Sequence, residues 1–514
     1  MEGTMSGLSL ALQESHGDDF SASHEMFNGL LKSLSSTKSL GMDHSDLEKL
    51  LQTEGRELLR RLFEEQLKLR GNGFVGAQVE GSDKIERGYK RESTRTLKSV
   101  FGEVSVDRLG YSKPGEEVLF PKDAVLNLPQ ESYSLGVRKL IAIEASKGSY
   151  DEAISSVKTV TGLDVPKRQA EQLAKFAAQD FENFYASYEV DKAEDNLLIL
   201  TMDGKGIVMR KEGLTEETRA RAEASEHKLG KRLSKGEKAN RKRMATVASV
   251  YEIASFVRTP DQICTELAHV REATAKRRPK PKNKRVWASV ERSAENITEE
   301  AFKEVLKCDP KKKKKLVCLV DGDPRQIGRI EKEGKTRGLP VTIICDIIHV
   351  IEYLWKASRV LNEETSKEAE EWVSHRLYEV LNGKCSDVAG GIRRSATLRG
   401  IPESKREPID KCADYLINKS SYLKYDEYLR LGYPIATGVI EGACRYLIKD
   451  RLDITGARWS LSGAEVILKL RSLRASGDFD EYWAFHEKKE LERNHTNKYV
   501  DGKIPSGGLK LLKK

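Results

Sequence analysis

The chain has 514 residues, with 89 lysines and arginines against 80 aspartates and glutamates, and a formal net charge of +9. This length is too great for one compact core and predicts about three structural units. The seven cysteines include no Cys-x-x-Cys pair, which excludes a disulfide framework and a zinc finger, and no apolar stretch approaches membrane-spanning length, so we expect a protein of the reducing cytosol.

The N-terminal part is predicted to contain a tail, a helix and a β-hairpin, with the helix and hairpin filling residues 43–128. Residues 1–42 have too few large apolar side chains to build a core, which predicts a disordered tail. Leucines then recur at helical spacing and predict an amphipathic helix that packs on a core or pairs with another helix; they are Leu47, Leu50, Leu51, Leu58, Leu62 and Leu69. Residues 95–111 alternate apolar and polar side chains, the pattern of a hairpin.

Three helices are predicted in the region 129–190, at 135–146, at 150–160 and from 165 toward 185. The turn before the third has Gly162 for a helix C-terminus, Asp164 as a cap and Pro166 in the first turn. This outline is that of a helix-turn-helix, whose second helix reads the major groove of DNA, although any well-capped helical hairpin has the same pattern. The candidate DNA contacts that open this helix are Lys167, Arg168 and Gln169.

Three acidic residues further along the chain are candidate metal ligands: Asp203, Asp321 and Glu441. The two aspartates each end a short apolar run rich in β-formers and precede glycine, as at the carboxyl edge of a sheet, and the glutamate begins a helix. Carboxylates suit Mg²⁺ or Mn²⁺, and two such ions can clamp the attacking and leaving oxygens of a phosphoryl transfer. The alternative is that each acid serves only turn chemistry.

The order of the elements around these acids predicts an α/β ribonuclease-H-like domain. Three strands come first, then a helix at 297–306, a strand, a helix and a strand; the strands are expected at 197–202, 206–210, 243–253, 316–320 and 341–345. Residues 364–432 are nearly all helical by periodicity. We therefore predict a domain of residues 191–363 and 433–490 with an all-α insertion at 364–432, preceded by a mainly helical DNA-binding region with a β-hairpin and followed by a basic tail at 491–514.

Two basic runs lie inside the predicted domain. Residues 228–243 nearly exclude acids and residues 276–285 contain none. Runs of this kind stay solvated and bind polyanions by counterion release. We favour contact with phosphates over the alternative of a flexible solubilising loop.

Several motifs carry a family resemblance. They are Cys345-Asp-Ile-Ile-His-Val-Ile-Glu-Tyr-Leu-Trp, Pro434-Ile-Ala-Thr-Gly-Val-Ile-Glu-Gly-Ala-Cys-Arg, Asp453-Ile-Thr-Gly-Ala-Arg-Trp and, upstream, Thr201-Met-Asp-Gly-Lys-Gly. With the order of the three acids, they resemble the bacterial DDE-type insertion-sequence transposases of the ISKra type, which are related to Mutator-like transposases. The resemblance covers most of the chain beyond the N-terminal tail. Some relatives carry an N-terminal cysteine pair, which this chain lacks.

The resemblance implies a transposase that cleaves and joins DNA at the terminal inverted repeats of an insertion sequence. Two Mg²⁺ (or Mn²⁺) ions held by Asp203, Asp321 and Glu441 would serve attack on a phosphodiester by water and later by a 3′-hydroxyl. Asp323 is the rival for the second ligand, because it lies two residues further on. Other residues expected at the site are Asp346 and His349, one helical turn apart, and Arg445 and Lys449, at i+4 and i+8 from the glutamate, as phosphate contacts.

Two other functions stay open. One is a ribonuclease-H-fold nuclease without strand transfer, which would need neither a large recognition region nor a helical insertion. The other is a non-catalytic, transposase-derived DNA-binding protein, against which the intact acidic trio argues. Because two DNA ends are processed together, we expect a homodimer or larger assembly on double-stranded terminal and target DNA, in the bacterial cytosol and associated with the nucleoid.

Overall fold

The computed structural model describes residues 20–190, 197–224, 237, 239–267, 277–454 and 456–505. The chain forms two compact units, of which the first comprises Met1–Ala186 with Phe479–Lys514 and the second comprises Ser187–Asp478. The segment after residue 478 therefore belongs to the first unit, whereas the sequence predicted it to be part of the sheet domain as far as residue 490.

The first unit is mainly helical with two small antiparallel ribbons. Its helices before the second unit are α1 (Ser21–Leu34), α2 (Thr37–Leu40), α3 (His44–Leu69), α4 (Pro121–Val125), α5 (Leu135–Lys147), α6 (Tyr150–Thr161), α7 (Lys167–Ala178) and α8 (Phe181–Ser187). Its strands are β1 (Val79–Glu80), β2 (Glu86–Arg87), β3 (Tyr89–Ser99) and β4 (Gly102–Ser112). The pair β3–β4 confirms the predicted hairpin, and Gly102 closes its two-residue turn with a φ of 128°, a backbone conformation that glycine adopts without strain.

Residues 20–42 are folded, so the predicted disordered tail is wrong for this segment, while residues 1–19 lie outside the described residues. Helix α1 packs on α3, where the Glu65 carboxylate accepts hydrogen bonds from the N–H groups of Ala22 (3.0 Å) and Ser23 (3.3 Å). A carboxylate at a helix N-terminus is favourable because it complements the helix dipole. A short helix such as α1 can be held in place by packing on one other helix. The composition of residues 1–42 does not reveal such a contact.

The C-terminal segment also folds into the first unit. After the helix Phe479–Asn494, Tyr499 is only 2% exposed and pairs with Gly81. The predicted basic tail at 491–514 is therefore wrong as far as residue 505, because a buried aromatic side chain anchors this segment. Residues 506–514 lie outside the described residues.

The three helices predicted between residues 129 and 190 are present as α5, α6 and α7, but the third ends at Ala178, and the segment up to residue 187 forms the separate helix α8. Ser149 begins α6 with a capping box, and Gly162 ends it in the left-handed conformation, with a φ of 76°. The predicted cap of the next helix is wrong: Pro166 occupies the cap position of α7, and Asp164 instead pairs with Lys158 (2.7 Å). The helices enclose a small apolar core that includes Val137, Ile141, Val157, Leu163, Val165, Ala170 and Leu173.

The second unit is built on a mixed five-stranded sheet. Its strands are β5 (Leu197–Val208), β6 (Lys242–Ile253), β7 (Lys282–Ser289), β8 (Lys315–Val320) and β9 (Val341–Cys345). They lie in the order β7-β6-β5-β8-β9. Strand β6 is antiparallel to β5 and β7, whereas β5, β8 and β9 are parallel. The apolar start of β5 is buried on both faces, as expected for the central strand of a covered sheet.

Helices cover this sheet and fill the chain between its last strand and the third acidic residue. They are α9 (Glu216–Glu223), α10 (Pro260–Leu267), α11 (Ala294–Cys308), α12 (Pro324–Arg337), α13 (Ile347–Leu361), α14 (Lys367–Leu381), α15 (Cys385–Leu398), α16 (Glu403–Asn418), α17 (Tyr425–Arg430), α18 (Gly438–Ala443), α19 (Asp450–Leu452) and α20 (Leu461–Ser476). The helix Phe479–Asn494 of the first unit is α21. Helices α14 to α17 occupy the segment that periodicity predicts to be helical.

Two of the predicted strands are one. Residues 197–202 and 206–210 were expected to form separate strands, but β5 runs through the first and continues into the second as far as Val208. Gly204 and Gly206 do not interrupt it, because they stay paired with Thr246 and Met244 of β6. Strand pairing has overridden the low β-propensity of glycine.

The third strand of the sheet, β7, begins inside the basic run 276–285, where we expected a solvated loop. Arg285 explains the difference, because its guanidinium is buried and binds the carboxylates of Glu304 (2.6 Å) and Glu300 (2.7 Å). The expectation of a solvated loop is therefore wrong for residues 282–285, which lie in β7, while phosphate contact by this run stays a prediction. In the other run, Lys242 and Arg243 lie in β6, and residues 228–236 and 238 are outside the described residues.

We expect Arg285→Ala to lower the free energy of unfolding by about 3–5 kcal/mol, because it leaves a buried carboxylate without its partner. Lys280→Ala, which removes an exposed charge from the same basic run, should change it by less than about 0.5 kcal/mol. Denaturant unfolding followed by tryptophan fluorescence measures both. Equal small effects would mean that Arg285 behaves as a solvated residue.

Candidate active site

Strand register brings Asp203 and Asp321 to the same level of the sheet. Thr201 of β5 pairs in parallel with Leu319 of β8, and each aspartate lies two residues further along. Strand β8 ends at Val320, while β5 continues, so Asp203 lies inside its strand and not at its end as predicted. Asp203 is half-buried and Asp321 is exposed. Two carboxylates therefore share the carboxyl edge of the parallel half of the sheet.

In the loop after β8, the carboxylates of Asp321 and Asp323 make different hydrogen bonds. The Asp323 carboxylate caps α12 by accepting a hydrogen bond from the N–H of Arg325 (2.9 Å), whereas Asp321 Oδ1 accepts one from the N–H of Asp323 (2.8 Å). The hydroxyl of Tyr415, on α16, donates to the main-chain carbonyl of Asp321 (3.2 Å). Gly322, between Asp321 and Asp323, has a φ of 100°. A Cβ at this position would lie 3.0 Å from the Tyr415 hydroxyl oxygen.

Asp346 is a fully buried acid at the end of β9. Its N–H donates to the carbonyl of Val320 (2.8 Å), which joins the ends of β8 and β9. Its carboxylate caps α13 by accepting from the N–H of Ile348 (3.0 Å) and also accepts a hydrogen bond from the Thr437 hydroxyl. Burial raises the pKa of Asp346 above its ordinary value, although these hydrogen bonds oppose the shift.

Glu441 lies in the first turn of α18 and belongs to the same electrostatic group. Its Oε1 is 3.5 Å from the Thr437 hydroxyl oxygen. Burial raises the pKa of Glu441, and the negative charges of Asp346 and Asp203 raise it further, while His349 opposes them. Asp203, Asp346, His349 and Glu441, all predicted as site residues, thus interact electrostatically, whereas Asp321 is not among the groups that shift the pKa of Glu441.

Cys444 connects the Glu441 helix to the central strand. The thiol is buried and donates a hydrogen bond to Asp203 Oδ2 over 3.2 Å. Burial raises the pKa of this thiol, and the neighbouring Asp203 carboxylate raises it further. The thiol therefore stays protonated and can keep the carboxylate oriented.

Sequence reasoning missed Thr437, Cys444 and Tyr415. The first two lie one helical turn before and one turn after Glu441, so their spacing offered a signal that both could approach the same edge. Tyr415 offered none, because it comes from α16, 94 residues after the aspartate that it contacts. It also stacks on Tyr353 of α13, with ring centroids 4.4 Å apart.

The two basic residues predicted beside Glu441 are exposed. Arg445 and Lys449 both lie in a π-helical turn, Cys444–Lys449, where the prediction assumed α-helical spacing. Arg445 lies 3.7 Å from Asp450 with 77% of its side chain exposed. Single π-turns inside helices are frequent at functional sites, and both side chains are free to reach a ligand in solvent.

The donor chemistry of this edge suits a hard cation. Its candidate ligands are carboxylate oxygens, which Mg²⁺ and Mn²⁺ prefer. Burial is the main cause of the raised pKa of Glu441, and the negative charges of Asp346 and Asp203 add to it. Asp203, Asp321 and Glu441 do not place three ligand atoms within 4.8 Å of one another. Because the ligands of a two-metal site are divided between two ions about 3.5–4 Å apart, they need not all lie that close together.

Within the described ranges, one other group of three ligand atoms does meet that distance, and it lies in the first unit: Asp180, His486 and Glu490. Two guanidinium groups already compensate its carboxylates. Arg138 binds Glu490 (2.7 Å), and Arg493 pairs with both acids. Arg138 also donates to Nε2 of His486 (3.0 Å), so Nδ1 carries the proton and donates to Asp180 (2.7 Å). This cluster is a charge-balanced structural network and has no need of a metal.

No protein-family model matches the chain, and no curated protein is significantly similar to it. No helix in the described ranges combines the length and the apolar character needed to cross a bilayer.

We expect Asp346→Asn to stabilise the metal-free protein at pH 7–8. The pKa of Asp346 is raised in the folded state, so ionisation of this carboxyl at higher pH lowers the stability of the protein. Below its ordinary value of 3.8 the carboxyl is protonated in both the folded and the unfolded state, and this loss disappears. Asparagine keeps the helix cap and removes the charge, so the advantage should shrink as the pH falls toward 4. Denaturant unfolding across this pH range measures the difference.

Thr437→Val is the matched control, because it removes the donor to the same carboxylate. It should destabilise the protein most at pH 8, where the acid is charged. An Asp346→Asn protein that is less stable than the parent at pH 8 would contradict the conclusion that the buried Asp346 carboxylate destabilises the folded protein when it is charged.

Proposed function

We propose that the chain is a DNA transposase of the DDE type, which cleaves and joins DNA at the ends of an insertion sequence. The observation that carries the proposal is the alignment of Asp203 and Asp321 by parallel register, with the Glu441 helix tied to the same edge by Cys444. The strand order and directions of the sheet support a ribonuclease-H-like fold. Helices α14–α17, before Glu441, support the predicted insertion.

Asp203, Asp321 and Glu441 would hold two Mg²⁺ or Mn²⁺ ions. Such ions supply a stronger nucleophile and neutralise charge that develops on the phosphate. Thr437 and Cys444 then act as positioning residues, because each donates a hydrogen bond toward one of the acids of this edge.

His349 has a separate part in this scheme. It favours the charged form of Glu441 and thereby keeps the carboxylate ready as a ligand. Its side chain is 37% exposed, with Nδ1 3.8 Å from Glu352. A side chain at the mouth of an acidic edge is also placed to contact a phosphate.

DNA recognition is proposed for the N-terminus of α7. Arg168 and Gln169 are exposed there, and Lys167 is held by Asp151 (2.7 Å). The N-terminal residues of a helix-turn-helix recognition helix contact base edges in the major groove. Arg445 and Lys449, which follow Glu441, are proposed as contacts to the phosphates next to the cleaved bond.

We expect Asp203→Asn, Asp321→Asn and Glu441→Gln each to reduce cleavage and joining by several orders of magnitude, because each removes a charged oxygen ligand and preserves shape. Binding to terminal DNA should survive. The assay uses labelled DNA that carries the inverted repeats flanking the gene, with Mg²⁺, with Mn²⁺ and with excess chelator.

Asp323→Asn is the matched control, since asparagine also caps a helix, and it should retain most activity. Cleavage without joining by the parent would favour the nuclease, and binding without either reaction would favour the non-catalytic protein. Turnover in excess chelator would dismiss the metal site.

We expect Arg168→Ala to cost about 1–3 kcal/mol of specific binding, because an arginine that reads a base edge contributes about that much discrimination. Lys175→Ala removes the same charge two turns further along α7 and should weaken terminal and scrambled DNA alike. Competition binding gives the specificity ratio. A ratio that Arg168→Ala leaves unchanged would show that α7 does not read sequence.

A further inference from the structure

The last strand of the sheet in the second unit, β9, has one edge that pairs with no other strand of the described chain. It stands at the end of the strand order β7-β6-β5-β8-β9, so β8 occupies only one of its edges. Its sequence, Val-Thr-Ile-Ile-Cys, contains no charge and no proline. Natural sheets protect an outer strand with charged side chains, proline, bulges or a covering helix or loop. The uncharged strand β9 is therefore open to further pairing wherever nothing covers it.

The pairing with β8 shows which main-chain groups of β9 point outward. Along a strand, the N–H and C=O of one residue point to the same side, and successive residues alternate. The N–H of Asp346 points toward β8, because it donates to the carbonyl of Val320 (2.8 Å). The even-numbered residues of β9 therefore face β8. The odd-numbered ones, Val341, Ile343 and Cys345, direct their main-chain groups away from it.

The described chain caps only the last of these three residues. The carbonyl of Cys345 accepts a hydrogen bond from the hydroxyl of Tyr425 (2.7 Å), which agrees with its outward direction. Among the described residues, no hydrogen bond engages the outward groups of Val341 and Ile343. Two N–H and two C=O groups are thus available to a ligand, and their alternation matches the backbone of a neighbouring strand.

A groove of about 480 Å³ lies along this open edge. Val341 and Ile343 line it, helix α12 forms one wall, and residues 421–428 contribute to the other. Gly334 allows α12 to lie close to β9, because a Cβ at this position would lie 2.6 Å from Cγ2 of Val341. The groove therefore presents unpaired main-chain groups between two walls of side chains.

The walls of the groove combine apolar and cationic side chains. Leu339, Ile343 and Tyr428 line it and are less than a tenth exposed. Lys335, on α12, and Lys424, just before α17, also line it and are exposed. Neither lysine makes an ion pair within the described ranges. The cations are therefore free to bind an acidic group in the groove.

Two glutamates also line the groove, but one of them is engaged. The carboxylate of Glu331 accepts a hydrogen bond from the hydroxyl of Tyr422 (2.9 Å). Glu427 is exposed and makes no ion pair in the described part of the chain. Two free lysines against one free glutamate leave the groove with an excess of positive charge, which favours a ligand with acidic side chains.

We propose that this groove binds an extended segment of a partner protein, which adds a strand to the sheet beside β9. The main chain of the segment pairs with Val341 and Ile343, its apolar side chains contact the apolar lining, and its acidic side chains reach Lys335 and Lys424. In strand addition of this kind, main-chain hydrogen bonds give affinity and side-chain contacts give specificity. The proposal is independent of the function proposed above, because Asp203, Asp321 and Glu441 do not line the groove.

The first test uses a labelled nine-residue peptide in which valine and glutamate alternate, with binding to the full-length protein measured by fluorescence anisotropy. The parent should bind this peptide more tightly than one of alternating valine and lysine. N-methylation of three consecutive central residues should weaken binding about tenfold or more, because it removes the donors that pair with β9. A parent that binds none of these peptides, or binds the N-methylated one equally well, would overturn the proposal.

Val341→Pro tests the edge of the strand. Proline removes the outward N–H and is tolerated as the first residue of a strand, so the pairing with β8 should survive while peptide affinity falls about tenfold. Denaturant unfolding checks that the fold is retained. Unchanged affinity in the folded variant would exclude strand addition at β9. If the variant does not fold, the N-methylated peptide still tests the same hydrogen bonds.

Charge reversal tests the side-chain contacts. Lys335→Glu and Lys424→Glu should each weaken binding of the valine–glutamate peptide about two- to fivefold and strengthen binding of the valine–lysine peptide. Lys332→Glu is the matched control, because this exposed lysine lies on the same helix and does not line the groove. An equal loss in the Lys332→Glu protein would mean that the peptide senses only overall charge, against the proposed contacts.

Hydrogen exchange distinguishes the occupants of the groove. Addition of the valine–glutamate peptide should slow exchange in the segment that contains Val341 and Ile343. Slow exchange there without peptide, increasing with protein concentration, would show that a second copy of the chain occupies the edge. Displacement of the peptide by DNA, with DNA binding weakened by Lys335→Glu and not by Val341→Pro, would identify a phosphate site. Either of these two results would overturn the proposal.

Discussion

The parallel pairing of β5 with β8 determines where the acidic groups of the second unit stand. Five consecutive residue pairs, ending with Thr201 and Leu319, set the register, and a slip by one residue would turn a side chain to the other face of the sheet. The register is protected because both strands are buried and apolar on both faces, so any shift would expose leucines and valines to water. The positions of Asp203 and Asp321 are therefore a consequence of core packing.

The other acids reach the same edge at a thermodynamic cost. Burial raises the pKa of Asp346, and partial burial together with the neighbouring negative charges of Asp346 and Asp203 raises the pKa of Glu441. Hydrogen bonds from Thr437 and from a helix N-terminus offset part of this cost. A protein that only needed to be stable would place neutral side chains here, and a divalent cation or a cationic ligand would relieve the repulsion. Perturbed carboxylates of this kind cluster at functional sites.

The sequence was most informative where local chemistry decides the structure. The apolar run before Asp321-Gly predicted the end of β8, and the glycine at the end of α6 predicted the turn before α7. It was least informative where tertiary contacts decide. The two glycines of β5 are held in a strand by β6, and Arg285 is drawn into β7 by glutamates of α11. The same reason separates Glu441, whose helix and spacing predicted it, from Tyr415, whose contact depends on how a distant helix packs.

The closing contacts of the acidic edge connect parts of the chain that are synthesised far apart. Tyr415 reaches the loop of Asp321 across 94 residues, and Cys444 reaches Asp203 across 241 residues. Contacts between distant residues form late, since the intervening loop must be closed first. A nascent chain would thus carry a folded recognition hairpin and most of a sheet while its acidic edge is still incomplete. A site at this edge would in this way remain incomplete on the ribosome until the segment that carries Cys444 has emerged.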